Sequence, residues 1–183
     1  MKALFDGVRE FSTVDFEKNR DLFSSISREQ NPHTLFIGCS DSRVVPDLIT
    51  KSMPGDLFVV RNIANVVPRY RASSEYLATT SAIEYAILVL GVENIVICGH
   101  SNCGAMGAIC ACQSLENLPA VAHWLRHADC AKAIINAQTF ATPKARADAL
   151  VRANVIAQLA NIRTHPSVAL ALAQKRLNLH GWV

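Results

Sequence analysis

Long apolar runs are missing from this chain, and so is a strong excess of charge of one sign. No stretch reaches the roughly 18 consecutive apolar residues that a membrane-crossing helix needs, so no segment is expected to span a membrane. Charges interrupt residues 1–10, which leaves no signal-peptide core. The formal net charge of +3 is too small to argue for nucleic acid, and no run of Lys and Arg forms a binding stripe. The region from Gly99 to Gly107 lacks GxGxxG and GxxxxGK[ST] spacing, so nucleotide binding has little support. Internal repeats and low-complexity segments are missing too.

What is present fits one domain over residues 1–183, with residues 1–30 as an N-terminal helical arm. Half the residues are hydrophobic and 18% are charged, as in an ordinary soluble globular protein. With no export signal, the expected setting is cytoplasmic, where six cysteines read as free thiols or metal ligands rather than a disulfide framework. Cys98 lies inside an apolar run and is expected to be buried packing. Cys110 and Cys112 are two apart and would point in different directions on a helix. Cys130 is expected to pack.

Residues 1–11 and 14–28 read as two helices, with Ser12 or Thr13 capping the second. Residues 33–38 read as a strand, Val44 to Thr50 as a short helix and Leu57 to Val60 as a second strand. An irregular loop follows over 61–72. Ser73 is the expected cap of a helix running to Leu90, and Gly91 fits the left-handed position after it. Asn94 to Gly99 is a third strand. Helices are expected from Asn102, over 119–138, over 144–163 and from Pro166 to Arg176, before a final strand over 177–183. Alternation of strand and helix predicts an α/β fold with a mainly parallel sheet covered by helices on both faces.

Two short motifs follow directly on strands: Cys39-Ser40-Asp41-Ser42-Arg43 and His100-Ser101-Asn102-Cys103. In a parallel sheet, ligand sites lie beyond the carboxyl ends of the strands. Both motifs sit there, so Cys39, His100 and Cys103 are expected to meet. Two thiolates and one imidazole suit Zn²⁺, and three protein ligands leave a fourth position open, the catalytic pattern. Asp41 is close enough to coordinate the metal or to accept a hydrogen bond from its water. Arg43 can hold that carboxylate with a two-pronged hydrogen bond.

These residues resemble the β-class carbonic anhydrases. The likeness extends to Pro54-Gly55-Asp56-Leu57-Phe58-Val59-Val60-Arg61-Asn62-Ile63-Ala64-Asn65, to Ser81-Ala82-Ile83-Glu84-Tyr85-Ala86 and to His180-Gly181-Trp182-Val183, and is weakest over 112–150. The resemblance implies zinc-dependent, reversible hydration of CO₂ to bicarbonate and a proton by a zinc-bound hydroxide. Cys39, His100 and Cys103 would be the zinc ligands. Asp41 would either close the site as a fourth ligand or pair with Arg43 in an open one. The family's assembly implies a homodimer or larger homo-oligomer, packed through the N-terminal helices, with the cleft at the subunit interface. Gln30, Phe58, Ile63 and Tyr85 match its substrate-cleft positions, Gln30 as a hydrogen-bond donor to substrate.

A second, regulatory bicarbonate site of some relatives is expected to be absent. Phe36 stands at its Trp position, only Arg61 remains, and no Tyr follows Val183. The resemblance also implies a further strand and helical residues after Val183, whose lack would expose a sheet edge. His33, His123, His127 and His165 are expected to be surface or packing residues rather than proton relays. Two other functions fit the same residues. One is hydrolysis of carbon disulfide or carbonyl sulfide on the same zinc; the other is a non-catalytic zinc-binding or thiol-sensing protein.

Overall fold

A computed structural model describes residues 1–72 and 77–183. They form two compact units, Met1–Asn31 and Pro32–Val183.

The first unit is helical: α1 (Lys2–Glu10), a wide π turn over Phe11–Asp15, α2 (Phe16–Lys18) and α3 (Arg20–Ile26). The break expected at Ser12 and Thr13 is not there. Their hydroxyls bond back to the carbonyls of Val8 and Arg9, four residues earlier, so they ride inside the helix instead of capping a new one. The break comes at Asn19, which leaves helical geometry at φ −113°. Phe23 packs on both Phe11 and Phe16, with ring centroids 5.8 and 5.1 Å apart.

Among the described residues, the second unit is built on four strands: β1 (Thr34–Cys39), β2 (Leu57–Asn62), β3 (Asn94–Cys98) and β4 (Asn178–Trp182). The order is β2-β1-β3-β4 and every pairing is parallel. β2 runs two residues beyond the expected strand, into the region read as a loop. The chain visits β1 first, then β2 on one side and β3 on the other. The carboxyl ends of β1 and β3 therefore flank the point where the direction of winding reverses, a natural place for a ligand.

A short α4 (Pro46–Thr50) follows β1, and the longer helices among the described residues are α5 (Leu77–Leu88), α6 (Gly104–Cys110), α7 (Pro119–Leu125), α8 (Asp129–Asn136), α9 (Pro143–Ile162) and α10 (Pro166–Ala173). The single helix expected over 119–138 is split by a tighter turn at Arg126–Ala128. The Ser73 cap lies outside the described residues. α4, α7, α9 and α10 each begin with proline, where its missing N–H costs nothing and its fixed φ suits the first turn. Thr142 caps α9 by accepting from the Ala145 N–H at 3.1 Å. Gly91 takes φ +65° after α5, as its place in the sequence predicts. Cys112 departs from expectation: it lies past the end of α6 at φ +49°, so helical spacing does not govern where its thiol points.

Leu35, Ile37, Ile95 and Ile97 bury one face of the sheet against Ile83 and Ile87 of α5, Val155 and Ile162 of α9, and Val168 of α10. Phe36, Val96 and Cys98 point to the opposite face. A second apolar cluster encloses the strand ends and includes Cys39, Cys103, Ala64, Met106 and Val151. α9 crosses β3 and β4 closely. A Cβ on Gly99 would come within 2.9 Å of Val155 and 3.0 Å of Val151. Gly99→Ala is expected to destabilise the protein by about 1–3 kcal/mol through overpacking. That should lower the melting temperature by several degrees in calorimetry, and unchanged melting would mean α9 yields without cost.

Candidate metal centre

The two motifs meet. Cys39 ends β1, and His100 and Cys103 lie on the turn between β3 and α6. Their ligand atoms, two sulfurs and one imidazole nitrogen, all lie within 4.8 Å of one another. Both cysteines are buried, at 5% exposure each. Asn102, at φ +54°, makes the sharp turn that brings Cys103 back towards Cys39.

The imidazole is set for a metal. Nδ1 of His100 lies 2.9 Å from the Ser101 carbonyl and donates to it in the tautomer protonated there. That leaves Nε2 with its lone pair. Nε2 is buried and, among the described residues, has no hydrogen-bond partner. An orphaned buried nitrogen facing two thiols is costly unless something binds it. The donor set of two sulfurs and one nitrogen fits Zn²⁺ in chemistry and number.

The thiols respond to each other. Hydrogen bonding with Cys103 holds the Cys39 thiol far below its ordinary value, against the opposing effect of burial; the Asp41 backbone, the neighbouring His100 imidazole and the Ala64 backbone add to the lowering. The same interaction, together with burial, pushes Cys103 up. The two thiols are therefore expected to give up their protons in separate steps that belong to the pair. Loading zinc on the apoprotein near pH 7.5 is expected to expel about one proton per site, because both sulfurs must bind as thiolates. Calorimetric titration in buffers of different ionisation enthalpy reads that number directly. Release of about two protons would mean that Cys39 is not a thiolate beforehand.

Asp41 and Arg43 form the two-pronged pair: Arg43 Nε donates to Oδ1 at 2.8 Å and Nη2 to Oδ2 at 2.7 Å. The Arg43 backbone N–H also donates to Oδ1, at 3.0 Å. Hydrogen bonding from Arg43 holds the Asp41 carboxyl well below the usual carboxylate range. Arg43 Nη2 reaches across to the carbonyl of Asn102 at 3.1 Å, tying the first motif to the second. Oδ2 of Asp41 lies 3.9 Å from Nε2 of His100, beside the ligand atoms and too far for a hydrogen bond.

Arg61 supports this turn. Its Nε donates to the Cys39 carbonyl at 3.1 Å and its Nη2 to the Asp41 carbonyl at 2.6 Å. Next to the turn lies a cavity of about 640 Å³, lined by Ser40, Val60, Ile63, Ala82, Val121 and Trp124 among others.

Of the four cleft residues, Ile63 lines this cavity and is 42% exposed. Phe58 packs on the main core and its ring lies 6.0 Å from that of Tyr85. Gln30 belongs to the separate unit Met1–Asn31. His165 is buried and pairs with the Pro68 carbonyl, a packing role. His33 pairs with Thr34.

Sequence reading passed over Arg61 as a brace of the metal turn, and over a stripe on α9. Asn154, Gln158 and Asn161 recur there at helical spacing, His165 follows in the turn before α10, and all four are buried and hold the segment after β2. Polar residues at i, i+4 and i+7 within a core helix, with a histidine just past its end, were the available signal.

A family model described as carbonic anhydrase matches residues 34–183. A carbonic anhydrase of Pseudomonas aeruginosa is 55% identical over 183 residues, covering 100% of this chain and 82% of that protein. Among solved structures, the β-carbonic anhydrase CcaA superimposes with a TM-score of 0.91 at 39% identity, over 100% of this chain and 82% of that one. One of two tetrameric β-carbonic anhydrases from Sordaria macrospora gives a TM-score of 0.84 at 30% identity, over 99% of this chain and 90% of that one.

Proposed function

From the premise that this chain belongs to the β-class carbonic anhydrases, we propose that it hydrates CO₂ reversibly to bicarbonate and a proton at a zinc ion held by Cys39, His100 and Cys103. The observation that carries the proposal is the buried, unpartnered Nε2 of His100 among two thiols, with an ionised Asp41 beside it. A zinc ion held there would supply a Lewis acid that makes hydroxide available near neutral pH. Asp41 would act as a hydrogen-bond acceptor beside the metal, orienting the O–H of the oxygen that reacts with CO₂. Because Arg43 holds it ionised, Asp41 serves as an acceptor and does not compete as a donor. Arg43, bonded to both oxygens of Asp41, would hold that carboxylate away from the metal. Val60, Ile63 and Val121 give the neighbouring cavity an apolar wall suited to an apolar substrate. Gln30 as a donor to substrate, and Phe58 and Tyr85 as cleft residues, belong to the same proposal. The proton released passes to buffer.

A homo-oligomer and a cytoplasmic setting complete the reading. Strand β2 is an edge of the sheet among the described residues, and Val59 on it and Leu88 on α5 are exposed apolar side chains. The Sordaria relative is tetrameric. All six cysteines are free, which suits a reducing compartment. Residues 1–30 are read as an arm of the single domain that serves this packing.

The test offers the zinc-loaded protein CO₂, carbonyl sulfide and carbon disulfide in parallel. Rapid CO₂ hydration with no sulfide release above background is expected. Sulfide release without CO₂ hydration would replace the proposal with the hydrolase reading. Tight zinc with neither activity would leave a non-catalytic zinc protein.

A further inference from the structure

The chain leaves β2 through a tight loop. It is extended at Asn62, at φ −147° and ψ 174°, and extended again at Val66, at φ −78° and ψ 138°. Between them it turns through Ala64 at φ +65° and Asn65 at φ +47°, left-handed geometry that is unfavourable for residues with a Cβ. Such a conformation persists only where its surroundings over-determine it.

The side chain of Asn62 supplies the local restraint. Its Nδ2 donates to the Val66 carbonyl at 2.8 Å, and its Oδ1 accepts from the Val66 N–H at 2.8 Å. One amide thus makes both of the bonds that a hydrogen-bonded residue pair makes across antiparallel strands, and it closes the loop 62–66 on itself. The Asn62 backbone carbonyl accepts from the Ser40 N–H at 2.8 Å, which fixes the base of the loop to the turn that carries Asp41. From outside, Trp124 of α7 donates to the Ile63 carbonyl at 2.8 Å. Ile63 is therefore bracketed, with a fixed residue before it and its own carbonyl held after it.

The loop sorts its side chains. Ala64 and Asn65 are buried behind it, whereas Ile63 is the exposed apolar side chain and lines the cavity beside the metal turn, near Val60, Val121 and Trp124. We propose that Asn62 is a positioning residue for the substrate wall: its amide locks the loop 62–66 and thereby holds the Ile63 side chain where CO₂ approaches the metal turn. The inference rests on the functional reading above. CO₂ has no net dipole, so its affinity for the cavity depends on apolar contact. A wall that moves gives up that contact in the ground state and the transition state alike, which raises KM and leaves kcat unchanged.

The experiment measures steady-state CO₂ hydration by the zinc-loaded full chain. Ile63→Ala removes the wall. Asn62→Leu removes both bonds to Val66 at similar volume. Asn62→Asp keeps the acceptor for the Val66 N–H and loses only the donor, so it carries the test if the leucine variant does not fold. Each Asn62 change is also combined with Ile63→Ala. KM for CO₂ should rise about tenfold in Ile63→Ala and in the same direction, by about threefold or more, in the Asn62 variants. Turnover should stay within about twofold and zinc at about one per chain. Because Asn62 acts through Ile63, each double variant should show the KM of Ile63→Ala alone instead of the product of the two effects. Asn161→Leu is the stability control: it loses a bond to the Val67 carbonyl just past the loop, and should melt earlier with KM unchanged. Wild-type KM in Ile63→Ala, or in both Asn62 variants, would overturn the inference. Multiplying effects in the double variants would overturn it too, as would loss of zinc in the Asn62 variants, which would place their action on the metal turn through Ser40. A wild-type protein that binds zinc and does not hydrate CO₂ would instead overturn the functional reading, and this inference with it.

Discussion

Cys39→Ser should fold, lose zinc and lose nearly all CO₂ hydration. Cys39 ends β1 opposite Asn62 of β2, and a serine of similar size leaves that pairing intact. What changes is the donor. A serine hydroxyl stays protonated at neutral pH and offers zinc a weak neutral ligand in place of a thiolate. Removing an outer-sphere partner costs about 10–100-fold in metal affinity, and removing a primary ligand should cost more. Zinc per chain by elemental analysis after dialysis against a mild chelator should fall far below stoichiometric, with circular dichroism unchanged. Hydration should fall in step. Full zinc occupancy in Cys39→Ser would remove this residue from the site.

Asp41→Asn should separate binding from turnover. Three ligands remain, so zinc stays at about one per chain, but hydration should fall by roughly 100-fold, the scale of a positioned proton-handling group. The neutral amide places a donor where an ionised acceptor stood, and the two-pronged bond to Arg43 is lost. The pH dependence follows from the direction of the Asp41 shift. Its carboxyl is depressed by Arg43. The stability that the pair contributes is therefore complete above the ordinary carboxylate value of about 4 and is lost only as pH falls below it. Asp41 does not titrate between pH 5 and 9. Wild-type activity should rise between about pH 7 and 8.5 as hydroxide becomes available, and Asp41→Asn should keep the same midpoint at a lower plateau. Loss of that inflection in the variant would assign it to Asp41. Wild-type rates would remove Asp41 from the mechanism.

The site was more legible in the sequence than the frame that holds it. Cys39, His100 and Cys103 could be read because each stands at or just after the end of an apolar run, and parallel strands bring such ends together. Asp41 and Arg43 are two residues apart, so their pairing is a local event. The supports are not local. Asn154 reaches Ala64 across 90 residues, and Gln158 reaches Val67 across 91. No periodicity in the segment around Ala64 announces a left-handed turn at an alanine, because that turn is imposed by partners far along the chain. The N-terminal break failed for the opposite reason. Ser12 and Thr13 have the side chains of cap residues, but a hydroxyl inside a helix can bond back four residues and leave it unbroken. At Cys112, helical spacing was applied past the point where the helix ends.

Zinc titration read by stopped-flow hydration bears most directly on the central claim. Metal-free protein is supplied with increasing zinc at pH 8.5, and CO₂ hydration is followed with a pH indicator. Activity should climb in proportion to zinc and level off at about one zinc per chain, the capacity of a single two-thiolate, one-imidazole site. Full hydration activity in the metal-free protein, or bound zinc at that ratio with no hydration, would contradict it.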